Sequence, residues 1–319
     1  SENGLMKSFL GRRMLLGLVT ILATTFLVHI ALYLAPGDPI DVLTAGKSTT
    51  PERLEALRAQ YHLDDPFLTR YFSWLGGVLH GDLGQSAAFN ADVSVLLEPR
   101  VPTTLLLVGS AFIMIMVFGL SLGIVAALRG GIIDTTTMAT ATLLSAIPAF
   151  VSSFLLINVF ALQLGWLPAI GIGDGSPIDT ARHLVLPSVA LALAAGAFVA
   201  RTTRASVRTE LGRDHVATAT VRGIPRRLVI SRHVLRNGLL PILSIAGLML
   251  AGLIVGTAFV EQAFAIEGLG KLLVTAARQQ DLAVVQAVTL ILVVAFVVLN
   301  ILVDILTWYL DPRVRSEAA

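Results

Sequence analysis

The stretch Arg201–Pro241, RTTRASVRTELGRDHVATATVRGIPRRLVISRHVLRNGLLP, decides how the chain is organised. It carries nine arginines against two acidic residues, Glu210 and Asp214, and it lies between two long apolar runs. Even one arginine at the centre of a bilayer costs about 2.5–3.5 kcal/mol on insertion scales. We therefore predict that this basic loop lies at a membrane surface.

Inside the basic loop, two short runs with helical character, 215–221 and 226–235, flank Gly223-Ile224-Pro225. Glycine frees the backbone there, and proline forbids continuation of the preceding helix. The pattern predicts two short helices joined by a turn. Such a helix pair is suited to binding by a partner protein. A solvated loop that only fixes the membrane topology is the alternative.

The composition around this loop is that of an integral membrane protein. Of 319 residues, 55% are hydrophobic and 14% are charged, and the mean hydropathy is +0.81. Soluble domains carry roughly 25% charged residues. The absence of cysteine excludes disulfides, thiol catalysis and thiolate metal sites.

Apolar runs predict an all-α fold with six transmembrane helices, because each run is long enough to cross the hydrocarbon core. These runs cover residues 14–35, 103–128, 135–164 (interrupted by Pro148), 184–200, 239–260 and 282–303. The predicted domains are an N-terminal tail with the first helix (1–35), an extramembrane cap (36–100) and a five-helix core (101–319). The cap is turn-rich and acidic, and it forms an insertion between the first and second transmembrane helices.

The distribution of charge predicts the orientation. The side that holds both termini and the basic loop has 15 lysines and arginines against 8 on the other side, whereas acidic residues number 7 against 14. Loops rich in lysine and arginine stay in the cytoplasm. Both termini and the basic loop are therefore predicted to be cytoplasmic, and the cap extracytoplasmic.

Catalytic motifs are missing from the sequence. There is no H-E-x-x-H, no G-x-S-x-G and no pair of intramembrane carboxylates. Gly268-Leu269-Gly270-Lys271 resembles the end of a phosphate-binding loop, but Ala265 replaces its first glycine and Leu272 its Ser/Thr. The chain is predicted to have no nucleotide site, no cofactor and no metal site of its own, and not to be an enzyme.

The basic loop resembles the cytoplasmic coupling loop of permease subunits of bacterial ABC importers. That loop has an E-A-A-x-x-x-G pattern followed by I-x-L-P; here Ala217-Thr218-Ala219 leads to Gly223, and the pattern closes at Leu240-Pro241. Alanine replaces the glutamate, and Gly238 replaces the isoleucine. The forms T-A-x-x-x-G and R-H-x-L-R-N-x-L-x-P are similar to those of the dipeptide/oligopeptide/nickel importer permeases.

Segments along nearly the whole chain, in the same order, carry the same resemblance. They are Leu34–Pro39, Leu63–Pro66, Gly81–Ser86, Gly165–Pro168, His183–Pro187, Val260–Phe264, Gly268–Gly270 and Asp311–Arg315.

The resemblance implies a permease subunit in a bacterial inner membrane that forms half of a path for peptides or similar small solutes. Its implied partners are a homologous second permease, two cytoplasmic ATPase subunits that hold ATP and Mg²⁺, an extracytoplasmic substrate-binding protein and the lipid bilayer, with no nucleic acid. The coupling loop, residues 208–238, would contact the ATPases through Ala217, Thr218, Ala219, Gly223, Ile224, Pro225, Arg226 and Arg227.

Two further expectations follow. The acidic cap and the loop 261–281 are predicted to dock the binding protein, with Asp64, Asp65 and Glu267 as contact residues. The alternative function is a secondary, ion-coupled transporter of small solutes, which would need intramembrane ion ligands and often has repeat symmetry. The sequence offers neither clearly.

Overall fold

A computed structural model describes residues 2–34, 50–60 and 65–310. Strand within these ranges is confined to an antiparallel pair, β1 (Gln85–Ser86) and β2 (Ala91–Asp92), so the all-α prediction is confirmed. The helices are α1 (Glu2–Leu34), α2 (Pro51–Gln60), α3 (Phe67–Leu79), α4 (Val93–Leu97), α5 (Arg100–Arg129), α6 (Gly131–Ser145), α7 (Ala149–Leu156), α8 (Pro177–Leu211), α9 (Asp214–Val221), α10 (Arg226–Leu228), α11 (Arg236–Gly238), α12 (Leu240–Ala263), α13 (Leu269–Arg278) and α14 (Leu282–Leu310). Two π-helical segments, Ile157–Gln163 and Val229–Leu235, follow α7 and α10.

Five helical stretches in the described ranges are long and apolar enough to cross a membrane, and a bent pair makes a sixth if it counts as one span. The five are Phe9–Leu34, Val93–Arg129, Pro177–Leu211, Arg226–Gly247 and Leu282–Trp308. The apolar part of the fourth stretch belongs to α12, whose one charged residue is Glu261. We therefore take α12 as the helix that corresponds to the predicted span 239–260.

The bent pair is the predicted span that Pro148 interrupts. Gly131–Ser145 and Ala149–Gln163 meet at an angle of 103°. Proline lacks the N–H that would continue the helical ladder, and the preceding residue is pushed out of helical conformation. α6 therefore ends just before this break, and α7 begins just after it.

The described residues fall into two compact units. The first is drawn from Ser1–Leu10, Leu105–Ile266 and Leu299–Ala319, with a core that includes Leu107 and Phe264. The second is drawn from Gly11–Thr104 and Glu267–Val298. The predicted domain boundaries at 35 and 100 do not coincide with these units and stay a prediction.

Within the first unit, α5 and α8 approach each other closely at the Gly119-xxx-Gly123 pair. A Cβ placed on Gly123 would lie 2.5 Å from the carbonyl oxygen of Ala200 and 2.6 Å from Cβ of Thr203. A Cβ on Gly119 would lie 2.8 Å from Val199. Small residues allow such contact between helix backbones, so this pair is used within the chain.

Within the second unit, α1 is held by polar contacts as well as by apolar packing. The buried ring of His29 donates from Nε2 to the carbonyl oxygen of Phe67 (3.1 Å), and its Nδ1 accepts from the amide of Gln286 (2.7 Å). His29 therefore links α1 to α3 and α14 by hydrogen bonds.

Asp281, 1% exposed, caps α14 and anchors the β1–β2 hairpin in the same unit. Its carboxylate accepts from the hydroxyl of Ser86 (2.5 Å) and the backbone N–H groups of Ala88 (3.0 Å) and Val284 (3.2 Å). Gly81 and Gly84 have positive φ where the chain leaves α3 and leads into β1.

Candidate coupling surface

Gly223 lies at the bend between α9 and α10 and has φ of +75°. Its N–H donates to Thr220 O (3.0 Å), and the N–H of Ile224 donates to Ala219 O (3.3 Å). This pair of bonds is a Schellman motif, which ends a helix with a residue in the left-handed region, usually glycine. A Cβ on Gly223 would meet no atom of this chain within 4 Å, so a side chain there costs backbone strain without a clash.

The two faces of α9 have different surroundings. Val216 and Ala219 are buried, whereas Ala217 and Thr218 are exposed. Val221, at the end of the helix, is 89% exposed. Of the two alanines that the pattern singles out, Ala219 faces the chain's own core and Ala217 faces outward.

A small hydrophobic core lies beneath α9. It contains Val216 and Ala219 from α9, Val229 and Val234 from the π-helical segment, and Val207 from α8. Ile224 packs against it. Because the buried faces of both short helices share one core, the coupling loop is an ordered element.

The second short helix, α10, begins at Arg226, and Pro225 precedes it as the N-cap residue in an extended conformation. The carbonyl of Pro225 accepts from the backbone N–H groups of Leu228 (2.8 Å) and Val229 (3.1 Å). Arg226 and Arg227 follow at once, and both side chains are exposed. Proline suits a helix start because it fixes φ and needs no N–H donor there.

The base of the coupling loop is closed where α8 meets α11. The hydroxyl of Ser206 donates to the carbonyl oxygen of Gly238 (2.7 Å). A Cβ on Gly238 would lie 3.4 Å from Cα of Val207 and 3.6 Å from its Cγ2. At these distances an added Cβ would make ordinary van der Waals contact with α8, so the two helices lie close together at Gly238.

Within the described ranges, three of the nine arginines pair with acidic residues. Glu210, whose side chain is 9% exposed, contacts Arg213 Nε (3.1 Å) and His215 Nε2 (3.2 Å). These contacts join the last turn of α8 to the beginning of α9.

Asp134, in the first turn of α6, forms ion pairs with the other two arginines, Arg204 and Arg208. Arg204 donates from Nε and Nη2 to its two carboxylate oxygens, at 2.8 and 2.6 Å, and Arg208 Nη2 lies 3.0 Å from Oδ2. The sequence analysis did not single out Asp134. The sequence did offer one signal for Asp134. It is the one acidic residue in the short 129–134 connection between two apolar runs.

α8 is longer at both ends than the apolar run 184–200 indicates. It begins at Pro177 because Ser176 caps it, with the Ser176 hydroxyl accepting from the N–H of Asp179 (3.3 Å). At the other end it continues through the first eleven residues of the basic loop to Leu211. The arginines are compatible with a helical continuation of α8 because Asp134 pairs with two of them. A helix can also continue beyond the bilayer.

Two of the three predicted docking residues, Asp65 and Glu267, lie among the described residues. Asp64 lies outside the described residues. Burial lowers the pKa of Arg70, while the nearby charge of Asp65 acts in the opposite direction. Glu267, 64% exposed, lies 2.5 Å from Lys271 Nζ and 3.5 Å from Arg100 Nη2, and the hydrogen bond from Lys271 is the main cause that lowers its pKa.

Comparison with known proteins identifies the family. The sequence profile described as "Binding-protein-dependent transport system inner membrane component" matches residues 119–316, and the N-terminal profile of the same kind of component matches residues 6–108. The chain belongs to this family. It is a multi-pass inner-membrane permease of the ABC importer type, as the resemblance of the coupling loop predicted.

Relatives and solved structures agree with this assignment. The permease is 36% identical to the oligopeptide transport system permease protein AppB of Bacillus subtilis, over 97% of this chain and 100% of that protein. It is also 36% identical to the glutathione transport system permease protein GsiC of Pectobacterium atrosepticum, over 95% and 97%. A structure of the MetNI methionine ABC transporter in an inward-facing conformation shares the fold, with a TM-score of 0.56 and 19% identity over 68% of this chain and 96% of that one.

Proposed function

We propose that this permease forms half of a translocation path for peptides or similar small solutes, with a homologous second permease as the other half. The coupling loop is the docking surface for a cytoplasmic ATPase subunit. One observation carries the proposal: α9 presents an exposed face with Val221 at its end, on a loop that has its own core and a closed base. Membership of a family of binding-protein-dependent transport systems supports it.

Movement reaches the membrane through the two ends of the coupling loop. ATP and Mg²⁺ belong to the partner ATPase subunits. When these subunits close, they draw the coupling loops of the two permeases together. Because α8 enters the loop and α12 leaves it, the loop transmits that displacement to two membrane helices and so opens the path outward.

The cargo follows from the names of the relatives. AppB and GsiC are named for the transport of oligopeptides and of glutathione, which are both peptides. Selection within the peptide class belongs to the binding protein that delivers the cargo.

Reconstitution in vesicles tests this function. Vesicles holding the permease, its second permease and both ATPases are supplied with binding protein and labelled di- to oligopeptides. We expect uptake with ATP and none with an imposed proton or sodium gradient alone. Gradient-driven uptake by the permeases without ATPases would instead establish a secondary transporter.

Val221→Asp tests the docking surface itself. Burying a valine contributes about 1.5–3 kcal/mol, so burying Val221 in the interface would strengthen ATPase binding by roughly 10- to 150-fold. We expect the variant to insert normally and to lose the ATPases during purification. Ile178→Asp, at a residue 78% exposed in the first turn of α8, is the matched control and should retain them.

The predicted outward face has a separate role, docking of the binding protein by the cap and the loop 261–281. Charge reversal at Asp64, Asp65 and Glu267 should weaken this docking. ATP hydrolysis measured without binding protein serves as the control and should not change. Unchanged affinity for the binding protein would remove the basis for the docking role.

A further inference from the structure

The link between α9 and α8 does not depend on the connecting turn alone. Only Gly212 and Arg213 separate the two helices, and Glu210 bridges this turn through Arg213 and His215. The Glu210 side chain is 9% exposed, whereas its partners Arg213 and His215 are 49% and 42% exposed. Displacement of α9 is therefore passed to the last turn of α8.

A second link joins α8 to α6. Asp134 and Arg204 form a two-bonded fork, and Arg208 adds a third contact one turn further along α8. Such a fork fixes direction as well as distance, because a planar guanidinium meets a planar carboxylate in two parallel bonds. The Asp134 side chain is 9% exposed, so rotation or sliding of α8 would displace α6 with it.

α6 lies between two breaks in the helical backbone, here called joints, and is therefore suited to move as a rigid body. At its beginning, Gly130 and Gly131 have φ of +64° and +56°. Its other end is the 103° break beside Pro148. Asp134 lies just after the first joint, where a lateral pull from Arg204 and Arg208 would swing the whole of α6.

We propose that Asp134 and Glu210 are positioning residues that carry movement of the coupling loop through α8 into the broken span. This inference rests on the proposed function and adds a third moving element, α6, to the two helices that the loop joins directly. A purely structural role predicts that loss of the Asp134 fork lowers stability and leaves the number of cargo molecules moved per ATP unchanged.

Asp134→Asn is the central test, because it removes the charge and nearly preserves the size of the side chain. Arg201→Gln is the matched control: it removes one charge from an exposed position on the same helix, one turn before Arg204. Subunit stoichiometry, ATP hydrolysis and peptide uptake are measured in the same vesicles. For Asp134→Asn we expect an assembled complex, ATP hydrolysis within about twofold of the original, and cargo per ATP reduced about tenfold.

Rescue separates positioning from stability. Asp134→Glu keeps the carboxylate and should recover most of the cargo per ATP, and Arg201→Gln should leave it unchanged. Cargo per ATP at the original value in Asp134→Asn would overturn the inference. Failure of the unaltered complex to take up peptide with ATP would overturn the proposed function instead.

If Asp134→Asn does not assemble, a milder variant tests the same inference. Arg208 is 42% exposed and leaves the Arg204 fork in place when it is lost, so Arg208→Gln should fold. Lower cargo per ATP in Arg208→Gln than in Arg201→Gln supports the inference, and equal values overturn it.

Discussion

Substitutions at Gly223 should change two separate quantities. One is the stability of the permease, which falls because of backbone strain, and the other is its coupling to the ATPase subunits. An L-residue in the left-handed region costs about 1–2 kcal/mol, and a strained β-branched residue costs up to about 3 kcal/mol. Because the added Cβ would meet no atom within 4 Å beyond its neighbours in sequence, backbone strain is the main cost in the isolated permease. Stability should therefore decrease in the order glycine, asparagine, alanine, valine, since asparagine tolerates this region best.

The assay compares Gly223→Val with Gly175→Val. Gly175 has φ of +92° and open space around it, so its substitution brings comparable strain at the opposite end of α8. Gly212→Ala, at a glycine with φ of −85° in the coupling loop, controls for added volume without strain. Thermal unfolding of the permease is measured beside ATPase recruitment, uptake and ATP hydrolysis in the complex.

Both valine variants should lose similar stability, but only Gly223→Val should lose ATPase recruitment or uptake. If uptake by an assembled Gly223→Val complex is undiminished, the coupling role of this turn is wrong. If Gly175→Val loses uptake to the same degree, Gly223 is only a helix C-cap.

Other parts of the molecule give independent predictions. Asp281→Asn should destabilise the permease by about 1.5–3 kcal/mol, because charge-assisted hydrogen bonds in a buried site are lost; denaturant unfolding measures this, and unchanged stability would contradict it. The pKa of Glu267 is lowered in the folded state, so its contribution is present above its ordinary value of 4.5 and is lost as pH falls through the folded value. The pH series of thermal unfolding should therefore show a steeper acid decline in the original protein than in Glu267→Gln, and parallel curves would refute the role of the Lys271 contact. A reporter fused after Ala319 should be cytoplasmic and a tag at Gly46 should be accessible from outside intact cells; a cytoplasmic tag at Gly46 would reverse the topology.

Local chemistry made the coupling loop predictable from sequence. Glycine and proline have strong backbone preferences, so Gly223-Ile224-Pro225 indicated a turn between two helices, and the structure has it. The same reasoning placed the break at Pro148. These features depend on a few adjacent residues, which is why a single sequence contains them.

Contacts between distant residues could not be predicted in this way. Asp134 and Arg204 are 70 positions apart, and the sequence shows only that each carries a charge. The charge of the basic loop predicts a membrane-surface environment, but it does not show which arginines would be paired. The ends of α8 were missed for a related reason, because apolar runs mark the membrane-embedded part of a helix and not its full length.

The close contact of α5 and α8 bears on how mutational scans of this permease are interpreted. At Gly123 even alanine, the smallest replacement, would put an atom 2.5 Å from a backbone oxygen that cannot rotate away. A scan should therefore find Gly123 as intolerant as residues that touch cargo or a partner, because the added atom would collide with α8 of the same chain. Measuring the amount of protein in the membrane for each variant, beside growth or uptake, would separate such positions from those that act in transport.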